Sequence, residues 1–297
     1  RWAPTGVIFH IKATTFDGTT SDISTANLTS KYYADTRDAA IIDTDPAQVK
    51  GVEQTFDGDW NLGSAGRPND DASQVAGLIW SPITGGGTAQ TALVNQIGAA
   101  RQSVYFESEE LSDSPVYAAL AAAARRGVNC EVVMTDATQW RNALATLAAA
   151  GCHVRTYVDR AGILYIHEKL ILDDAGTPSA SLLLGSQNAG ASSLTRNREL
   201  GLLLTVAQAP AVVSAVAATF AGDFSGATSW GSTGTTSSTG TTPAQAATTG
   251  CTPLTNAGNC YRPGEQCRTA DRGSAGIDAE GRPISCRENN GWRWEND

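Results

Sequence analysis

The chain has 297 residues, 41% of them hydrophobic and 17% charged, with a formal net charge of −9. That length suffices for a buried core in one large domain or two smaller ones, and no apolar run approaches the roughly 20 residues of a bilayer-spanning helix. The acidic balance argues against a broad nucleic-acid surface, which needs a dense basic patch, while leaving room for a small basic pocket.

In chain order, VIFHIK at 7–12 reads as a strand, and TRDAAIIDT leads to a helix and then to FDGDW. LIW at 78–80 is a short strand, and 88–101 an amphipathic helix with Leu93, Ile97 and Ala100 on one face. SVYFESEEL is a strand whose acidic end reads as a solvated approach to the next helix, with metal binding as the alternative. Asp113 and Ser114-Pro115 open that helix over 115–126, and Gly127 stops it. CEVVMT is a buried strand, 138–150 a helix closed by Gly151, and HVRTYV a strand with His153 as an ordinary strand histidine. Such alternation predicts an α/β layered fold with largely parallel strands. After Phe224 the composition changes. Residues 225–250, uncharged and rich in Ser, Thr, Gly and Ala, read as a flexible linker between a body, 1–224, and a tail module, 251–297.

Six cysteines divide between the two parts. Cys130 and Cys152 each start a strand after a Gly-terminated helix, which predicts a disulfide between neighbouring parallel strands. Cys251, Cys260, Cys267 and Cys286 crowd the tail, where no Cys-x-x-Cys pair and no His supplies a zinc site. Disulfides and an oxidising compartment are the expectation. The tail's NGWRW segment is read as packing against those disulfides, with a glycan-facing surface as the alternative.

An internal repeat carries more information. Residues 7–60 and 164–224 pass through the same features: VIFHIKATTFDG, ISTANLT, TRDAAIIDT, a helix and FDGDW in one, LYIHEKLILDDAG, LLLGSQNAGASSL, NRELGLLLT, a helix and FAGDF in the other. Asn27 to Arg37 and Asn188 to Arg198 are both ten residues apart. Two such copies predict a pseudo-two-fold arrangement with a site at their interface. The second motif is preceded by a full strand–helix unit, 78–158, and the first by a few residues only. The first lobe is therefore expected to lack strands, supplied upstream or by another chain.

Two of the three histidines, His10 and His167, precede a lysine by two positions in a chain with four lysines. Chance gives two such pairs in on the order of one in two thousand sequences of this composition. Asp17 and Asp174 complete H-x-K-x4-D in both copies, Asn27 and Asn188 end the small-residue turns STAN and GSQN, and Arg37-Asp38 and Arg198-Glu199 follow. On a strand, residues i and i+2 share a face, so each imidazole is expected beside its lysine. Across a pseudo-dyad, two imidazoles, Lys12, Lys169 and the two Asn amides would surround one phosphate and stabilise its developing charge. No metal or other cofactor is expected, because the two ammoniums repel a divalent cation and already supply positive charge. Asp17 and Asp174 sit in turns near Gly18 and Gly176 and are read as structural.

These residues resemble the phospholipase D superfamily, which repeats H-x-K-x4-D with a downstream G-S-x-N; IHEKLILDD, GSQN with Ser186, and NRELG fit closely, while STAN and Arg-Asp depart slightly. The resemblance covers most of 1–224. It implies a pair of lobes with the site between them, and a two-step displacement through a phosphohistidine. It further implies His10 as nucleophile, His167 as acid/base, and Asp38 and Glu199 each orienting the imidazole of the opposite copy. The implied substrate is a phosphodiester, a phospholipid ahead of nucleic acid. The superfamily also holds nucleases, and a phosphate-binding member without activity is the remaining alternative. The linker and Cys-rich tail resemble those of secreted actinobacterial proteins, which implies an extracellular setting with any signal upstream of residue 1.

Overall fold

A computed structural model describes residues 8–30, 35–64, 72–82, 89–136, 138–160, 162–231, 251–253, 260–268, 271–278, 281–288 and 292–296. The chain divides into two compact units, 1–234 and 235–297.

The first repeat copy builds a small antiparallel sheet. Strands β1 (Ala13–Phe16), β2 (Thr20–Ser24) and β4 (Ala40–Asp43) lie in that order, with β3 (Thr36–Arg37) outside it and helix α1 (Pro46–Ser64) following. Alternate residues of β2 and β4 are buried, Ser21 and Ile23, then Ile41 and Asp43, as a sheet covered on one face requires. The β1–β2 turn needs left-handed backbone at Asp17 (φ 51°) and Gly18 (φ 65°), which Asp and Gly tolerate better than other residues.

The second copy and the unit before it make a larger layer. In chain order come β5 (Leu78–Ser81), α2 (Ala89–Ala99), β6 (Ser103–Ser108), α3 (Ser114–Arg125), β7 (Asn129–Asp136), α4 (Arg141–Ala150), β8 (His153–Val158), β9 (Tyr165–Ile166), β10 (Lys169–Asp173), β11 (Ser181–Gly185), α5 (Ala191–Thr195), β12 (Glu199–Thr205), α6 (Pro210–Gly226) and β13 (Thr228–Ser229). Eight strands form one sheet in the order β13-β8-β7-β6-β10-β11-β12-β5. Local signals end the helices where the sequence places them. Asp113 caps α3 by accepting from the backbone N–H of Val116, and Gly151 closes α4 at φ 98°.

The expectation of largely parallel strands is corrected. Only β6, β7 and β8 run parallel to one another; every other pair in the sheet is antiparallel. Parallel neighbours need a crossover long enough to return the chain, which α3 and α4 provide. The loop 174–180 between β10 and β11 can only reverse direction. The fold is nonetheless mixed α/β with helices on the sheet.

Two apolar layers hold this sheet. On one face α2, α3, α4 and α5 set Leu93, Leu120, Leu144 and Leu194 against Phe106, Val132, Ile171 and Leu183. On the other, Val213 and Phe220 of α6 join Ile23, Ile41 and Val52 of the first copy over Leu172, Leu182, Leu184 and Leu202. The first copy's inner face is thus part of the second copy's core. Each such aliphatic side chain contributes roughly 1.5–3 kcal/mol when fully buried. The Cys130–Cys152 disulfide ties β7 to the start of β8 with a Cα separation of 4.7 Å, in the neighbouring-strand arrangement expected.

The body does not stop at Phe224. Residues 225–226 finish α6, β13 pairs with β8, and Trp230 donates its backbone N–H to Val154 and packs on the first apolar layer. These residues, read as linker from their Ser/Gly content, instead occupy the open edge of β8. Residues 232–250 lie outside the described residues. In the second unit β14 (Ala275–Ile277), β15 (Pro283–Glu288) and β16 (Trp292–Asn296) form an antiparallel sheet. Cys251–Cys260 and Cys267–Cys286 are disulfide-bonded. Trp294 is fully buried there, its ring 5.1 Å from Tyr261, so this part of NGWRW is core. No helix among the described residues is long and apolar enough to cross a membrane.

Candidate active site

The two copies exchange backbone partners where their motifs meet. β9, just before His167, runs parallel to β3, and His167 N–H donates to Arg37 O at 3.1 Å. Likewise Phe9 bridges to Arg198 in parallel, and His10 N–H donates to Arg198 O at 2.9 Å. Each histidine segment therefore lies along the Arg–acid segment of the other copy. VIFHIK and LYIHEK were expected as continuous strands, and here the structure differs. β9 ends at Ile166 and β10 begins at Lys169, while β1 begins only at Ala13. Between His and Lys the chain passes from the other copy's backbone to its own sheet, so no single ladder spans both. A hydrogen bond replaces the pleat: Lys12 Nζ donates to His10 O at 2.8 Å, and Lys169 Nζ donates to His167 O.

The imidazoles are held by the same exchange. His10 Nδ1 lies 2.9 Å from Glu199 Oε2, and His167 Nδ1 lies 2.7 Å from Asp38 Oδ1. Hydroxyls fix each carboxylate in turn. Ser186 and Ser193 both donate to Glu199 at 2.6 Å, and Thr25 and Thr36 donate to Asp38 at 2.7 and 3.0 Å. Thr25 of STAN thus occupies the position of Ser186 in GSQN, and the hydroxyl explains why that departure is tolerated. Burial pushes the Asp38 carboxyl up, but the bonds from His167, Thr25 and Thr36 outweigh it and hold it below the usual range. With Nδ1–H donated to a carboxylate, the chemistry of each ring falls to Nε2.

A further exchange was missed from sequence. Arg37 pairs with Asp223 through two bonds of 2.5 and 2.7 Å, and Arg198 donates to Asp59 at 2.9 Å. Asp59 and Asp223 are the matching acids of FDGDW and FAGDF, so the repeat itself was the available signal.

His10, Asn27, His167 and Asn188 line one cleft of about 440 Å³, together with Glu109, Glu110, Ser112, Ser193 and Glu199. Asn188 is 7% exposed, and its Oδ1 has no partner among the described residues. Neither motif lysine is part of the lining. Lys12 is pushed down to about 8, chiefly by burial with help from the Lys169 ammonium, against the pull of Glu199, Glu109 and Asp38. Lys169 pairs with Glu109 at 3.0 Å. The motif aspartates stand apart from the cleft: Asp174 accepts from the backbone N–H groups of Arg101, Gln102 and Ser103, and Asp17 shapes its turn. His153 is exposed at the start of β8.

The ESEELSD stretch is not the solvated approach expected. Glu107 is fully buried, Asp113 caps α3, and Glu109 and Glu110 face the cleft. β6 is a central strand paired with β10 in the register Ser108 to Lys169, so its C-terminal end opens beside the second motif. Ligand sites collect at the carboxyl ends of central parallel strands, and that rule applied to SVYFES would have found them. Among the described residues, no group of three or more His, Cys, Asp or Glu is arranged to hold a metal ion.

Residues 93–224, under half of the chain, match the family model described as "Cardiolipin synthase, PLD-like domain". No curated protein sequence matches the chain. Among solved structures, polyphosphate kinase from Porphyromonas gingivalis superposes with a TM-score of 0.53 at 16% identity, over 74% of this chain and 34% of that one. Phosphatidylserine synthase from Haemophilus influenzae gives 0.52 at 11% identity, over 73% of this chain and 62% of that one. Nuc from Salmonella typhimurium, a phospholipase D family member, gives 0.44 at 19% identity, over 52% and 95%. This chain accordingly spans about a third of the kinase and under two thirds of the synthase. Residues 93–224 thus match a phospholipase D-like domain, and the fold is similar to those of the kinase and the synthase.

Proposed function

We propose that this chain is a phosphodiesterase that works through a phosphohistidine without a metal, hydrolysing phospholipids or transferring their phosphatidyl group to an alcohol. One observation carries the reading. Both imidazoles line a single cleft, each with Nδ1 bound to a carboxylate of the opposite copy, so both reactive nitrogens serve one site. His10 Nε2 attacks phosphorus, the bond to the leaving oxygen breaks, and His167 supplies that oxygen with a proton. Water or an alcohol then gives its proton to His167 as its oxygen attacks, and the phosphorus–nitrogen bond breaks. Asn27 and Asn188 are the amides at hand for the phosphoryl oxygens.

A phospholipid is favoured over a nucleic acid by the charge of the cleft. Among the described residues its lining includes Glu109, Glu110 and Glu199 and no Lys or Arg, the reverse of the basic groove that a long phosphodiester backbone requires. The matched family's description, a phospholipid synthase, points the same way. Three disulfides suit an exported protein working in an oxidising compartment.

The test is a panel of phosphatidylcholine, phosphatidylethanolamine, cardiolipin, single-stranded DNA and bis-p-nitrophenyl phosphate, each with EDTA. Lipid turnover insensitive to EDTA and lost in His10→Ala is the expected result. With the activated ester, His167→Ala should accumulate phosphate on His10, located by mass spectrometry of the quenched reaction. Loss of all turnover with EDTA, or turnover surviving in His10→Ala, would overturn the reading.

A further inference from the structure

Among the described residues, the two histidines differ at Nε2. Asp38 holds His167 through Nδ1, and two groups of opposite character stand at its other nitrogen. Asn27 Nδ2 lies 3.2 Å away and can donate to an unprotonated Nε2. Glu109 Oε2 lies 3.4 Å away and can accept from a protonated one. For His10, the partner in the structure is Glu199 on Nδ1, whose charge is spread into two serine hydroxyls.

We infer that Glu109 is a proton-holding residue of the second histidine: its carboxylate retains the hydrogen on His167 Nε2 until the leaving oxygen takes it. The inference rests on the proposed reaction and adds a residue to it. In the first step His10 Nε2 bonds to phosphorus, the phosphorus–oxygen bond breaks, and the hydrogen passes from His167 Nε2 to the departing oxygen. Neutral His167 then accepts from Asn27. In the second step water yields a proton to Nε2 as its oxygen bonds to phosphorus, and Glu109 again accepts from Nε2–H. The cycle closes with one diester and one water consumed, one alcohol and one monoester formed.

Glu109 is equipped for this. Burial pushes its carboxyl up, but Lys169 and His167 nearby, with hydrogen bonds from Lys169 and Tyr165, outweigh burial and keep it ionised below the usual range. Its seat at the end of β6 is fixed by the Ser108–Lys169 register. Glu110, next in sequence, is shifted in the other direction by burial and by Glu109. The two neighbouring carboxyls are therefore not equivalent, and Glu109 is the one at His167 Nε2.

Glu109→Gln in the full chain keeps the shape and removes the charge. An alkyl leaving group needs the proton and p-nitrophenolate does not, so the ratio of alkyl to p-nitrophenyl ester turnover should fall by about 10- to 100-fold. Nitrogen-15 NMR of the imidazoles at a single neutral pH should show hydrogen occupancy at His167 Nε2 falling in the variant, with His10 unaltered. Equal losses on both esters would mean that Glu109 only supports the fold, and unchanged occupancy at Nε2 would overturn the inference even without turnover. A wild-type chain inactive on every diester would refute the proposed reaction instead, leaving the NMR result to decide the role of Glu109.

Discussion

The two repeat copies present like faces to each other and unlike faces to the outside. Four residues before the motif Asn stand Ile23 and Leu184, and four after the motif Arg stand Ile41 and Leu202; all four are buried where the copies meet. One residue along, the faces diverge. Leu183 is buried and Leu203 packs on the helical layer of α2 to α5, whereas Asp22 is half-buried and Ile42 is 63% exposed. Four residues after the motif His, Ile171 is buried and Thr14 is exposed. The site depends on the meeting faces and on the strand ends that cross between copies. The outer faces follow whatever packs there, and the larger helical layer covers only the second.

The sharpest way to break this comparison is at the exchanged carboxylates. Glu199→Gln and Asp38→Asn should each lower kcat on the order of 10²- to 10⁴-fold, as when an orienting carboxylate is neutralised beside a catalytic imidazole. The double variant should lose much less than the product of the two factors, because the copies act as one unit. Steady-state rates on a soluble diester measure this. If one variant is silent, the copies do not share the work.

The outer faces can be tested by exchanging their residues. Leu183→Asp places an unpaired charge beneath α2 and should cost about 4 kcal/mol or more. Asp22→Leu, at the matching position, should stay within about 1 kcal/mol. Urea unfolding midpoints report both. Equal losses would mean that the first copy's outer face is packed as tightly as the second's.

A smaller effect concerns Asp173, whose matching residue is Phe16. The order is reversed from simple hydrophobicity: Asp173 is 3% exposed with both carboxylate oxygens unpartnered among the described residues, and Phe16 is 51% exposed. Burial, assisted by Asp174, pushes Asp173 up to about 8. The folded state therefore binds this proton more tightly than the unfolded chain, where a free Asp titrates near about 3.9. The stability it contributes is complete below that value and is lost as pH rises to about 8. Glu168, raised to about 8 mainly by burial, acts in the same direction. Asp173→Asn should flatten the fall in Tm between acid and mildly alkaline pH by a few degrees, followed by calorimetry. An unchanged slope would assign the dependence to Glu168 and its buried neighbours.

Much of this was visible in one dimension. Helices α2 and α3, the end of α4 at Gly151 and the adjacency of Cys130 and Cys152 follow from periodicity, caps and turn glycines, which act within a few residues. The repeat marked His10, His167, Asn27 and Asn188, and these line the cleft. The exchange of Asp38 and Glu199 between copies came from family resemblance rather than from spacing. The Arg37–Asp223 and Arg198–Asp59 pairs were not read at all, and Glu109 was expected in a solvated approach rather than at the second histidine.

The sequence by itself determined which chemical groups exist in duplicate and where local structure starts and stops, because those properties depend on composition and near-neighbour sterics. Only the tertiary structure decided which copy's acid meets which imidazole, which strands run antiparallel, and that an acidic strand end faces the second histidine. Such pairings join residues more than a hundred positions apart, as with His10 and Glu199. Periodicity says which face of a strand is buried; it carries no information about which distant element does the burying.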